Sequence, residues 1–146
     1  MNGAVTLGTY DGANIEICRE AGEDNNYIFG LRENEVNMLK GKYSPKDIYN
    51  NNPEIKDVVD TLVSGKFGER YGFIDIYNSL INDNNPDRYM VLSDLMSFIV
   101  TLKKALYDYN DKEEFARKSL INTASSAYFS SDRTIREYAE DIWFKD

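Results

Sequence analysis

Only two stretches of this chain have the make-up of a β-strand, and both fall within its first thirty residues. The first is Ala4-Val5-Thr6-Leu7, read as a buried strand over residues 4–9 and flanked by Gly3 and Gly8. The second is Tyr27-Ile28-Phe29, closed by Gly30. Gly8, Asp11 and Gly12 mark a tight turn after the first strand. Asp11 is placed to cap a helix carrying Ile15, Ile17 and Ala21, which should stop at Gly22. Strand, helix and strand in this order predict a parallel pair with a right-handed crossover. Two short parallel strands leave free edges and an uncovered face, so they are not stable alone. The expectation is that they are the last two strands of a larger sheet encoded elsewhere.

From Arg32 onward the sequence reads as helix. Asn52 followed by Pro53 starts the clearest one, with Ile55, Val58, Val59, Leu62 and Val63 on one face and Gly65 as its end. Phe73, Ile76, Tyr77, Leu80 and Ile81 repeat the pattern, and Asn82 to Pro86 break it. Ser93 is the expected cap of a long helix with Leu95, Phe98, Ile99, Leu102, Leu106 and Tyr109 inward. Asp111 with Glu114 reads as a capping box for the next helix, whose inner face is Ala116, Leu120, Ala124 and Ala127. The last helix starts near Ser131 and carries Ile135, Tyr138, Ala139, Ile142 and Trp143. Trp143 is expected to pack against something large. The Asn-rich stretches Asn50 to Asn52 and Asn82 to Asn85 read as loops. The fold class is therefore α/β but predominantly helical. Residues 1–30 form a terminal βαβ unit and residues 31–146 a region of six to seven helices ending in a long one. Together they make a single incomplete domain over 1–146.

Composition narrows the chemistry. With 146 residues the chain is long enough for a real core. Acidic residues outnumber basic ones 25 to 17, a formal charge of -8 that repels nucleic acid and anionic membrane. There is no histidine, which removes the commonest general base and most zinc geometries. Cys18 is the single cysteine, so neither an internal disulfide nor a cysteine-built metal site is expected. No apolar run is long enough to cross a bilayer, and no secretory signal pattern opens the chain. A cytoplasmic setting is the expectation.

The remaining constellations read as structure. Gly8 to Asn14 follows a strand and opens a helix, but it lacks the Gly-Lys-Ser/Thr ending of a phosphate loop, and Asp11 opposes an anion. Asp11 and Glu16 suit a helix start better than an acid/base pair. Cys18, beside Arg19 and Glu20, reads as a packed, inert thiol. Arg133 and Arg136 lie among Asp132, Glu137, Glu140 and Asp141, which can pair with them. No catalytic, cofactor-binding or metal-ligating residue is assigned.

Two motifs carry a resemblance. Asn2 to Gly30, NGAVTLGTYDGANIEICREAGEDNNYIFG, resembles the C-terminal domain of the glycogen/starch/maltodextrin phosphorylases. Phe129 to Trp143, FSSDRTIREYAEDIW, resembles the final helix of that family, and Tyr89 to Asp108 is compatible with it. The chain departs from the family at Phe115, where tryptophan is usual, and at Ala127, where glycine is frequent.

The resemblance implies a C-terminal piece of an enzyme that phosphorolyses α-1,4-glucans to glucose 1-phosphate, with the phosphate of pyridoxal phosphate as proton donor and acceptor. It implies two facing Rossmann-like domains of the GT-B type. The Schiff-base lysine belongs to a Gly-Thr-Gly-Asn-Met-Lys motif that would lie just upstream of Met1. The phosphate-binding arginine and lysine and the sugar-contacting histidine and glutamate would also lie upstream. This chain would then bind no cofactor by itself and serve as support, with its last helix packing back across the domain junction. The implied partner is the N-terminal remainder of the phosphorylase. The free strands at 4–9 and 27–30 further imply a homodimer or strand swap when the chain stands alone. Two other readings compete: a non-catalytic acidic helical protein-binding module, and an independent phosphate-binding enzyme using Gly8 to Asn14.

Overall fold

The computed structural model describes residues 3–145, so Met1 and Asn2 at the head of the first motif, and Asp146, lie outside it. The order is β1 (Leu7–Thr9), α1 (Ala13–Ala21), a 3-10 turn (Glu23–Asn25) and β2 (Tyr27–Phe29). Then come α2 (Glu33–Leu39), α3 (Pro45–Asn51), α4 (Pro53–Ser64), α5 (Ile74–Ile81), α6 (Val91–Asp108) and α7 (Lys112–Ala124). A 3-10 turn (Ser125–Phe129) leads into α8 (Ser131–Tyr138), which continues as a π-helical turn (Ala139–Trp143). β1 and β2 form a two-stranded parallel sheet, and the remainder is mostly helical. The chain divides into a terminal unit, up to Ile28 and from Leu102 onward, and a central unit, Phe29–Thr101.

In the terminal unit β1 is shorter than the expected 4–9 and only half buried. The Thr6 carbonyl accepts the Tyr27 amide at 2.8 Å, but the Thr6 amide turns to Asn26 Oδ1 at 3.3 Å. Gly3, at φ 89°, gives its carbonyl to the Ser119 hydroxyl. Side-chain partners thus take the Thr6 amide and the Gly3 carbonyl on either side of residues 4 and 5. Asp11 does not cap α1: its carboxylate accepts from the Thr9 hydroxyl at 3.1 Å, and Gly12 occupies the cap position with no side chain to offer. The stop at Gly22 stands, with the Gly22 amide bonded to the Cys18 carbonyl at 2.8 Å.

α7 turns a different face inward from the one its alanines suggest. Ala116, Leu120, Ala124 and Ala127 are all exposed, Leu120 by 68%. Asn122 is instead 1% exposed, and its amide donates to the Asn25 and Lys118 carbonyls at 2.8 and 3.0 Å. The inward face is set by this doubly bonded amide, which would be costly to bury without its partners. Asp111 does cap this helix, accepting from the Glu114 amide at 3.0 Å, whereas the Glu114 carboxylate goes to Arg117.

The central unit has an apolar core of Tyr49, Ile55, Val59, Ile81 and Leu92. Ile48, Tyr77, Leu80, Leu95 and Met96 pack against it. α4 forms as the sequence predicts: Asn52 accepts from the Glu54 and Ile55 amides at 3.1 Å, and Gly65 ends it at φ 86°. Val58, in the expected stripe, is 45% exposed. Asn50 and Asn51 are not loop but the last residues of α3, which Ser44 and Pro45 start. Ser93 does not cap α6, which begins two residues earlier. The cap is Asp87, 3% exposed, whose carboxylate accepts from the Val91 and Leu92 amides at 2.7 and 2.8 Å and from the Tyr43 hydroxyl. Leu106 and Tyr109 are exposed by 61% and 53%, so the inward stripe of α6 ends before them. Gly30 sits at φ 80° where a Cβ would meet the Asp94 carboxylate at 2.7 Å. Only glycine lets the Leu31 amide reach Asp94 Oδ1 at 2.8 Å.

Candidate functional site

The turn from Gly8 to Asn14 spends its own hydrogen-bonding groups. The Asn14 and Ile15 amides go to the Asp11 and Gly12 carbonyls at 3.0 and 3.2 Å, and Asn14 Nδ2 reaches back to the Thr9 carbonyl at 2.9 Å. A phosphate cradle needs such amides directed at a ligand. Glu16 accepts from the Tyr128 hydroxyl at 3.4 Å and stands apart from the Asp11–Thr9 contact. Cys18 is buried, 4% exposed.

Arg133 is taken up by structure. Its guanidinium lies over the Tyr128 ring at 3.9 Å, donates to the Tyr128 carbonyl and pairs with Glu137 at 2.5 Å. Arg19 also lies over that ring, at 4.7 Å. Trp143 is 56% exposed and meets Tyr138 edge to face at 5.9 Å; within the described residues nothing large covers it.

A lysine that takes part in Schiff-base chemistry must be desolvated enough to lose its proton. Every lysine in the structure is exposed except Lys118, which donates to the Asp24 carbonyl. Lys56 is bonded to the Tyr49 hydroxyl at 2.7 Å, a contact that raises its pKa further. No lysine of the described residues is thus both shielded from water and without a partner. Among the described residues no group of three or more His, Cys, Asp or Glu side chains is arranged to hold a metal ion. Among the described residues no helix is long and apolar enough to cross a membrane.

The densest polar site lies where α6 ends and α7 begins. Tyr27, 5% exposed, donates its hydroxyl to Asp108 Oδ2 at 3.0 Å, and its ring stacks on Phe115 with centroids 6.4 Å apart. Lys104 and Lys118 stand 5.3 and 5.9 Å from the centre of that ring. Burial first, and the bond to Asp108 second, push the Tyr27 hydroxyl up to about 12. The Lys104 ammonium, 2.5 Å away, holds the Asp108 carboxyl below its usual range, and Arg117 does the same for Glu114. Beside this cluster lies a cleft of about 420 Å³ lined by Tyr107, Asp108, Asn110, Asp111, Glu114 and Lys118. Sequence reading singles out Asp111 and Glu114 only as helix caps. The cleft is built from a helix end, a turn and the next helix start, and no motif spacing announces it.

Comparison with known proteins adds what the geometry lacks. The carbohydrate phosphorylase family matches residues 1–145. The chain is 44% identical to the glycogen phosphorylase of Bacillus subtilis (strain 168), over 98% of this chain and 18% of the relative. It is 45% identical to the glycogen phosphorylase of Synechocystis sp. and 42% identical to the brain form of Ovis aries, each over 98% of this chain and 17% of the relative. The chain thus spans less than a fifth of the length of these curated relatives.

Proposed function

Since the chain belongs to the carbohydrate phosphorylase family, we propose that it is part of an α-glucan phosphorylase, a glycosyltransferase that releases glucose 1-phosphate from glucan and phosphate. The observation that carries this is a match over 98% of the chain at 42–45% identity to those three glycogen phosphorylases. The chain supplies scaffold. Pyridoxal phosphate and the groups that handle phosphate and sugar belong to the remainder of the polypeptide, in keeping with lysines that here face solvent. β1 and β2 are the closing strands of a Rossmann-like sheet of the GT-B type. The N-terminal remainder is the partner. Exposed apolar side chains at Ile135, Tyr138, Ile142 and Trp143 on the last helix and its π-helical turn, and at Phe144 just after it, support packing against it. When the remainder is withheld, free strand edges favour a homodimer or strand swap. A buried thiol and no second cysteine suit the reducing cytoplasm.

The test is to produce this chain and the preceding part of the phosphorylase separately, then combine them. Glucose 1-phosphate release should appear only in the mixture. Release by this chain alone, or a mixture that associates yet releases none, would remove the reading.

A further inference from the structure

We propose that the turn Asp87–Met90, at the head of α6, is a strained two-state element latched by the bond from the Tyr43 hydroxyl to Asp87. The latch couples the α2–α3 connection to the outward display of Arg88 and Tyr89. Asp87 and Met90 lie at φ 47° and 56°, in the left-handed region. Aspartate tolerates that region, but for a long side chain such as that of Met90 it is costly. Between the two, Arg88 and Tyr89 are exposed, Tyr89 by 79%, and the Arg88 guanidinium lies 5.6 Å from the centre of the Tyr89 ring.

Such a backbone persists only where its surroundings over-determine it. Here the holding converges on one buried residue. The Asp87 carboxylate accepts from the Val91 and Leu92 amides and from the Tyr43 hydroxyl. The Asp87 amide donates to the Ser79 carbonyl at 2.8 Å, and the Asp87 carbonyl accepts from the Met90 amide at 2.9 Å. Of the carboxylate's partners, Tyr43 comes from a separate part of the unit, between α2 and α3. Withdrawing its hydroxyl removes a restraint and leaves the strain. The turn then shifts toward a relaxed form in which Met90 takes a negative φ. The coupling is reciprocal: whatever fixes Arg88 and Tyr89 in their displayed pose tightens the latch, and whatever draws Tyr43 away loosens both the display and the first turn of α6. The inference uses the geometry of the central unit alone and holds whatever reaction the complete protein performs.

The experiment is hydrogen exchange on the complete phosphorylase, read as protection factors of the Asp87, Met90, Val91 and Leu92 amides, whose bonds depend on the turn. Tyr43→Phe should lower them about fivefold, the equivalent of one net hydrogen bond. Glycine enters the left-handed region freely. Met90→Gly should therefore protect these amides about five- to tenfold better than Met90→Ala, which shortens the side chain and keeps the strain. Added to Tyr43→Phe, Met90→Gly should bring protection back toward the parent's. The Val59 amide, within α4, should exchange as in the parent throughout. In an unstrained turn the order of the two Met90 variants is reversed, because glycine only adds freedom. Met90→Gly no better protected than Met90→Ala, Tyr43→Phe exchanging as the parent does, or a loss at Val59 equal to that at the turn would overturn the proposal.

Discussion

The central and terminal units are held together by different means. In the central unit, five buried residues from α3, α4, α5 and α6 meet in one apolar cluster, with polar bonds at its margin. In the terminal unit the buried set is Cys18, Ala21, Asn26, Tyr27 and Asn122, two of them amides and one a tyrosine bonded to a carboxylate. Its long-range closures are hydrogen bonds: Ser119 to Gly3, Lys118 to Asp24 and Asn122 to Asn25. An apolar core stabilises by area removed from water. A polar one adds about 1 kcal/mol net per bond and is costly when a partner is lost. The terminal unit is therefore the part whose order depends more on neighbours, and it contains β1 and most of β2.

The largest test of this contrast is Leu92→Ala. Leu92 is 2% exposed at the centre of the apolar cluster, and its truncation should cost about 2–5 kcal/mol. Urea unfolding followed by circular dichroism reads the loss. If Tyr27→Phe, its counterpart in the terminal unit, costs as much, the contrast fails. Next comes Asp87→Ala, which strands two helix-start amides and the Tyr43 hydroxyl. About 2–3 kcal/mol should be lost in the same assay, against roughly 1 kcal/mol for Tyr43→Phe. A loss from Asp87→Ala no greater than that from Tyr43→Phe would mean that the helix-start bonds contribute little.

The smallest effect is in pH. The Asp108 carboxyl is held low in the folded chain, so its contribution is present above the ordinary carboxylate range. It is lost as pH falls through the folded value. Tyr27 is raised to about 12, so its contribution is present below the ordinary phenol value and lost as pH climbs from there toward 12. Asp108→Asn should flatten the acid limb of a stability–pH curve, and Tyr27→Phe the alkaline limb. Curves parallel to the parent's would show that the pair does not titrate as the geometry requires.

What could be read in the sequence was whatever is decided within a turn or two. Asn52 and Pro53 start α4, Gly65 and Gly22 end their helices, Asp111 caps α7, and strand–helix–strand gives a parallel pair. What escaped was decided by residues distant in sequence. Asp87 caps α6 while also accepting from Tyr43, 44 positions earlier. Asn122 sets the inward face of α7 by bonding a carbonyl 97 positions away. No helical periodicity contains either fact, and alanines at helical spacing point the wrong way. The cleft was hidden for the same reason, since its polar lining is made of residues that each have a sufficient local role. Family membership, by contrast, was legible in two motifs about a hundred residues apart.

Amide hydrogen exchange, with and without the preceding part of the phosphorylase, tests most directly whether this chain is scaffold completed by a larger polypeptide. In the isolated chain, amides of Leu7–Thr9 and Tyr27–Phe29 should exchange quickly, while Val59 and Leu92 stay protected. Adding the partner should protect the strands and leave the central core unchanged. Strand amides as protected alone as in the complex would contradict the account.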